Sequence, residues 1–201
     1  MNLYSYFFDI TPVIKDIDYK FKKKGAVIEV YRRYISMYLY RLHGIYKTTK
    51  INPPAVSIIE NEIDLGEVFR VQNKVRLFAK NRKHLSLLLT EMGRQKVFKQ
   101  NCELTDIQEV PANISAYEII KRVRIPSVIN GDEVAFALAQ EIKNNPENNY
   151  LNFMVSSSFN SNKKFIRYYY TKIPVSRDNF TGKLDGYGFS RKKNTVCVPS
   201  F

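Results

Sequence analysis

The first half of the chain carries short apolar stretches and one long amphipathic segment. Residues 3–10 are apolar and aromatic and stop at Thr11-Pro12, which predicts a strand. From Ala26 to Leu42 apolar residues recur every three or four positions, the spacing of an amphipathic helix. Two more strands are predicted over Ala55–Ile59 and Val68–Phe78.

A second helix and a fourth strand complete this half. Asn81 is a suitable N-cap for a helix across His84–Met92. A strand is predicted within Glu103–Val110, before Pro111. The resulting order, β-α-β-β-α-β, is that of a ferredoxin-like domain.

The second half has a different pattern. Tyr117–Ile125 predicts a strand and Asp132–Lys143 a short helix, while Leu151–Ser158 and Phe165–Ile173 predict an antiparallel hairpin. We therefore expect an α+β protein, with a ferredoxin-like domain over residues 1–113. A smaller α+β domain that carries the hairpin is expected over residues 114–201.

Charge indicates the kind of partner. Among 201 residues, 32 are Lys or Arg and 19 are Asp or Glu, giving a formal net charge of +13. Such an excess favours a polyanion, because each neutralised phosphate releases counterions. No apolar run approaches the roughly 20 residues that span a bilayer, so no membrane partner is expected.

Cysteine usage and the first residues bear on location. Cys102 and Cys197 are far apart and belong to no CxxC motif, so neither a zinc knuckle nor a disulfide framework is expected. Met1–Ile10 lacks a basic leader and is expected to be a strand rather than a signal peptide. A cytoplasmic location is the simplest interpretation.

Two histidines are the candidates for proton transfer. His43 is expected on the last turn of the first helix, and His84 near the start of the second. An imidazole titrates near neutral pH and can take a proton from a ribose hydroxyl, but residue type alone does not choose between them. The chain has only two histidines and no HxxxH motif, so we expect no metal and no other cofactor. RNA suits such a site because its own 2′-hydroxyl is a nucleophile.

Three stretches together resemble one known family. They are GYGFS followed by basic residues and a closing VPSF, RLHG followed by an apolar strand containing Val56-Ser57, and VSSSFNSNKKFIRYYY. The chain is similar in these stretches to the type I-F CRISPR repeat endoribonucleases, the Csy-type members of the Cas-six class.

The resemblance implies roles for particular residues. His43 would act on the ribose 2′-hydroxyl, Tyr187 would position His43, and Ser158 would hold the ribose. Ser156 and Ser157 remain alternatives to Ser158, because a shift of one residue changes the match. The resemblance further implies that Phe165 stacks on the closing base pair and that Arg122 and Arg124 read base edges. The overall charge in turn makes the basic residues candidates for phosphate contacts, namely Lys121, Lys163, Lys164, Arg191 and Lys192.

The implied activity is cleavage of CRISPR precursor RNA at the 3′ base of the repeat hairpin, without metal. The enzyme would stay on the crRNA 3′ stem-loop and join the other subunits of the type I-F crRNA-guided complex (Cascade). A non-catalytic RNA-hairpin-binding subunit is the alternative. One departure concerns the helix DEVAFALAQEIK, which lacks the arginines that the family's best-known member places in the hairpin's major groove.

Overall fold

The computed structural model describes residues 4–14, 24–64, 68–114, 116–123, 125, 132–145, 149–156, 163–176, 182–191 and 195–201. Over these residues the protein is α+β, with four helices and two antiparallel sheets. In chain order the elements are β1 (Tyr6–Pro12), α1 (Lys24–Thr49), β2 (Ala55–Asp64), β3 (Val68–Ala79), α2 (Arg82–Gly93), α3 (Lys96–Asn101), β4 (Cys102–Leu104), β5 (Gln108–Glu109), β6 (Tyr117–Val123), α4 (Glu133–Asn144), β7 (Asn149–Ser156), β8 (Lys163–Val175) and β9 (Cys197–Pro199).

The first sheet has the strand order β2-β3-β1-β4, and β5 also pairs with β1. Its longest pairing joins β2 to β3, from Ala55 opposite Phe78 to Asp64 opposite Val68. The register shifts between Ile59 and Glu60, beyond which β2 alternates between half-buried and exposed residues. Most of the buried side chains of this hairpin therefore lie in its first part, although Val71 of β3 is also buried.

The second sheet has the order β7-β8-β6-β9. The predicted hairpin is confirmed as β7 and β8, whose register runs from Asn149 opposite Tyr170 to Ser156 opposite Lys163. Strand β6 pairs with the other side of β8, and β9 adds Cys197 opposite Ile119.

One continuous buried cluster joins the two sheets through α1. It includes Phe8 and Leu77 from the first sheet, Leu42 from α1, and Tyr170 and Phe189 from the second half of the chain. The predicted boundary at residue 113 falls between the strands of the two sheets. The division into two domains itself stays a prediction.

Several local predictions can be compared with the structure. The Asn81 cap of α2 is confirmed, because its side chain accepts a hydrogen bond from the Lys83 N–H at 2.8 Å. The expectation that His43 closes the first helix was wrong. Helix α1 continues to Thr49 because the apolar face continues through the buried side chains of Ile45 and Tyr46, and Gly44 does not interrupt it. Helix α3 and strand β9 were not predicted.

Candidate active site

Helix α1 holds His43 at the edge of the shared core. Its neighbour Leu42 is completely buried, and Ile45 and Tyr46 pack into the same cluster. His43 itself is half-buried, while Tyr40, one turn earlier, is exposed. The helix thus anchors the imidazole firmly and leaves part of it accessible.

A tight turn within residues 182–191 is organised by one carboxylate. Asp185 Oδ1 accepts hydrogen bonds from the N–H groups of Tyr187 at 2.8 Å and Phe189 at 3.1 Å. The Asp185 N–H in turn donates to the Phe189 carbonyl oxygen at 2.8 Å. Short polar side chains often close turns by bonding to nearby main-chain groups in this way.

Gly188 lets this turn approach strand β2. Its φ of +85° lies in the region that favours glycine, and its carbonyl oxygen accepts a hydrogen bond from the Val56 N–H at 3.1 Å. A Cβ at this position would lie 2.4 Å from the Pro54 carbonyl oxygen. The turn is therefore fixed to the start of β2, which follows the helix that carries His43.

The turn and the helix meet at His43. The His43 Nδ1 atom lies 2.6 Å from the Gly186 carbonyl oxygen, and its ring stacks on Tyr187 with centroids 4.6 Å apart and an interplanar angle of 25°. A carbonyl oxygen only accepts hydrogen bonds, so Nδ1 carries the proton. In the neutral ring Nε2 is then the nitrogen that can accept a proton.

Gly186 is required by this contact. A Cβ there would lie 2.6 Å from His43 Cε1 and 2.8 Å from Nδ1. Real Cβ atoms do not make contacts this short, so any larger residue would displace the ring or the turn.

Behind Tyr187 lie a second tyrosine and a guanidinium group. The Tyr168 ring meets Tyr187 edge-on at 5.4 Å, and the Tyr168 hydroxyl donates to the second oxygen of Asp185. The Arg122 guanidinium lies 4.4 Å from the centre of the Tyr168 ring, within cation–π range. The Arg122 charge is thus held beside Tyr168, whose ring contacts the tyrosine that stacks on His43.

The two tyrosines are held in their neutral form. Burial raises the pKa of Tyr168, and the neighbouring Asp185 carboxylate raises it further. Burial also raises the pKa of Tyr187, against the opposing effect of Arg122. Near neutral pH both phenols therefore keep their protons.

The structure brings several predicted site residues together and leaves others undefined. His43, Tyr187 and Arg122 are gathered here. Lys121 is the neighbour of Arg122 on β6 and forms a bridge with Ser190 of the turn, and Arg191 is the next, exposed residue. Ser158, Arg124 and Lys192 lie outside the described residues, as does Ser157. Phe165, Lys163, Lys164 and Ser156 are described through their backbone in β7 and β8.

Three participants were missed by sequence reasoning: Asp185, Gly186 as the His43 partner, and Tyr168. The dipeptide Asp185-Gly186 is a turn signal that could have drawn attention to this carboxylate. Tyr168 gave no comparable signal, since it lies in a run of three tyrosines that are all buried.

The other histidine belongs to a different environment. The Nε2 atom of His84 lies 2.7 Å from the Asn52 carbonyl oxygen, so Nε2 carries the proton there. His84 lines a groove with Lys80, Lys183 and Arg191. The structure therefore distinguishes the two histidines by their surroundings, which residue type alone could not do.

Within the described residues there is no group of three or more His, Cys, Asp or Glu side chains that could hold a metal ion. No helix in that part of the chain is long and apolar enough to cross a membrane. Neither a protein-family model nor a curated protein matches the chain.

Proposed function

We propose that this protein is a cytoplasmic, metal-independent endoribonuclease that cuts CRISPR precursor RNA at the 3′ base of the repeat hairpin. The observation that carries the proposal is the contact of His43 with the Gly186-Tyr187 turn. These are the two segments to which the family resemblance assigns the base and the tyrosine that positions it. They are 143 residues apart along the chain, yet they meet at hydrogen-bonding distance.

The geometry suits proton abstraction by His43. With Nδ1 bonded to Gly186, Nε2 can take the proton of a ribose 2′-hydroxyl. The 2′-oxygen then forms a bond to phosphorus, and the bond from phosphorus to the 5′-oxygen breaks. The leaving 5′-oxygen takes up a proton from solvent or from the protonated His43 and becomes a 5′-hydroxyl. The other product is a 2′,3′-cyclic phosphate, or a 3′-phosphate once water opens the ring.

Tyr187 and Arg122 support this step in different ways. Stacking on Tyr187 restricts the orientation of the imidazole, and a fixed orientation lowers the entropy cost of in-line attack. The Arg122 guanidinium can stabilise negative charge on the phosphate or, as the resemblance implies, bind a base edge. Ser158, or Ser156 or Ser157, would hold the ribose.

The fold and the charge agree with this proposal. The order β2-β3-β1-β4, with α1 following β1 and α2 following β3, supports a ferredoxin-like N-terminal domain. Helix α4 exposes Val134, Phe136 and Leu138, so its apolar surface differs from an arginine-rich groove binder. Phosphate contacts are instead assigned to Lys121, Lys163, Lys164, Arg191 and Lys192. Retention of the hairpin would make the protein a subunit of the type I-F complex.

Cleavage in EDTA tests the proposal. The purified protein is incubated with RNA that contains the CRISPR repeat of its host, and product ends are mapped. We expect one cut at the 3′ base of the hairpin. His43→Ala should slow it by about 10²- to 10⁴-fold, the usual contribution of a general base. His84→Ala is the matched control and should cut the hairpin at nearly the wild-type rate.

Other outcomes identify the alternatives. Tight binding of the hairpin without a cut would support the non-catalytic binding subunit. Equal loss in both histidine variants would contradict the assignment of His43. Neither binding nor cutting would overturn the proposed function.

A further inference from the structure

A cationic groove lies at the other end of the turn that contacts His43. Its volume is about 560 Å³, and its polar lining comes from Asn52, Lys80, Asn81, His84, Lys183 and Arg191. None of the described residues that line it is acidic. Lys80, Lys183 and Arg191 are all exposed, so their charges are accessible to a ligand.

Two of these side chains are oriented by the main chain. His84 donates Nε2–H to the Asn52 carbonyl oxygen at 2.7 Å, which leaves Nδ1 for a ligand. Arg191 donates Nε–H to the Leu184 carbonyl oxygen at 3.0 Å. Its terminal N–H groups can still bind two oxygens of one phosphate, the geometry in which guanidinium groups bind most strongly.

The groove is close to the candidate active site along the chain. Lys183 lines the groove and Gly186 contacts His43. Because Gly186 is three positions after Lys183, their Cα atoms are at most about 11 Å apart. A strand that passes His43 therefore reaches the groove within a few nucleotides. The volume is typical of pockets for small ligands, which fits a few nucleotides of single strand better than a stem.

We propose that this groove binds the phosphodiester backbone of the single-stranded RNA next to the hairpin, an inference that rests on the proposed endonuclease function. Lys80, Lys183 and Arg191 supply charge, and His84 Nδ1 can accept a hydrogen bond from a ribose hydroxyl. Binding here depends on the backbone and is insensitive to base sequence. Either the 5′ or the 3′ flank of the hairpin could supply the segment.

Binding measurements with four RNAs distinguish these sources. They are a trimmed hairpin, hairpins with a 5′ or a 3′ single-stranded extension, and a hairpin whose extension is paired with a complementary strand. All carry a 2′-deoxy nucleotide at the cut site, so that binding is measured without cleavage. We expect one single-stranded extension to tighten binding by about tenfold, and pairing it to remove the gain.

Lys80→Ala combined with Lys183→Ala should abolish this gain and leave the affinity for the trimmed hairpin within about twofold. The matched control is Lys96→Ala with Lys99→Ala, which removes two exposed charges from α3 and should keep the gain. Loss of two contacts should also lower the slope of log K against log salt by about 1.4 for the extended RNA. An equal gain in wild type and the groove variant, no gain from either extension, or a gain that survives pairing would overturn the inference.

A second measurement separates failure of the groove from failure of the proposed function. The chain has two histidines, so their imidazole NMR signals can be assigned with single variants. A short oligouridylate should move the His84 signal in wild type and not in the Lys80→Ala, Lys183→Ala variant. A protein that binds no hairpin but shows this shift would retain the groove inference alone. No shift in wild type would count against the groove, whatever the hairpin does.

Discussion

His43 and His84 each donate an imidazole N–H to a main-chain carbonyl oxygen, but through different ring nitrogens. His43 uses Nδ1 and contacts the turn at Gly186, whereas His84 uses Nε2 and contacts Asn52. Around His43 lie aromatic rings and the Arg122 charge; around His84 lie three exposed cations. Aromatic packing restrains a ring for proton transfer, while clustered cations favour an anion. Surroundings therefore decide what two identical side chains can do.

Apart from removal of His43 itself, the largest expected effect comes from moving its ring without changing the residue. Gly186→Ala places a Cβ within 2.6 Å of the ring, so the ring must shift. A displacement of about 1 Å can cost about 100-fold in rate. We expect that loss in single-turnover hairpin cleavage.

Gly44→Ala is the control for this variant. Gly44 follows His43 in α1, and a Cβ there meets nothing within 4 Å. Alanine in a helix interior stabilises by about 0.5–1 kcal/mol relative to glycine. This variant should cut at the wild-type rate; equal rates for both alanine variants would show that the Gly186 contact does not position His43.

A second comparison uses one buried tyrosine from each region. Burial raises the pKa of Tyr168 beside the turn and of Tyr4 in the groove wall. Above pH about 10 the unfolded chain releases these protons while the folded protein keeps them, so stability falls as pH rises. The stabilisation is complete below that pH and is lost toward the raised pKa. Each tyrosine that keeps its proton in the folded state lowers the free energy of unfolding by about 1.4 kcal/mol per pH unit in this range.

Denaturant unfolding across this pH range measures that slope. Tyr4→Phe and Tyr168→Phe should each reduce this slope by the contribution of about one proton. Tyr168→Phe should in addition lower stability at neutral pH, because it removes the hydrogen bond to Asp185. A wild-type stability that stays constant well above pH 10 would contradict the prediction.

The smallest effect is expected for the ring that stacks on His43. Aromatic pairs contribute about 0.5–1.5 kcal/mol beyond their buried area. Tyr187→Leu should therefore slow cleavage by roughly two- to tenfold, whereas Tyr187→Phe keeps the ring and should stay within about twofold. A larger loss in the phenylalanine variant would mean that the hydroxyl itself takes part in the step.

Regular elements were the part of the fold that the sequence could predict. Helix α2 has both an apolar face and a capping side chain in Asn81, and the hairpin of β7 and β8 has two apolar runs around a polar tip. Strands β5 and β9 have two and three residues. Such segments are too short to show a periodic pattern in sequence. Their pairing depends on neighbours supplied by the rest of the fold.

The candidate site was predictable in its residues but not in its contacts. The family resemblance singled out His43 and Tyr187. Nothing in the local sequence could predict that the Gly186 carbonyl oxygen would accept a hydrogen bond from the imidazole, since that contact depends on how Gly188 docks against β2. The groove is still less visible in sequence, because its cations come from the β3–α2 junction and the turn.

The separation of 143 residues between His43 and Gly186 has a consequence for how the protein is made. Contacts between distant parts of a chain form late, since the loop that joins them must first be closed. During synthesis, α1 leaves the ribosome long before its partner turn does. The imidazole therefore acquires its fixed orientation late in folding, so under the proposed function nascent or half-folded chains would be unable to cut RNA.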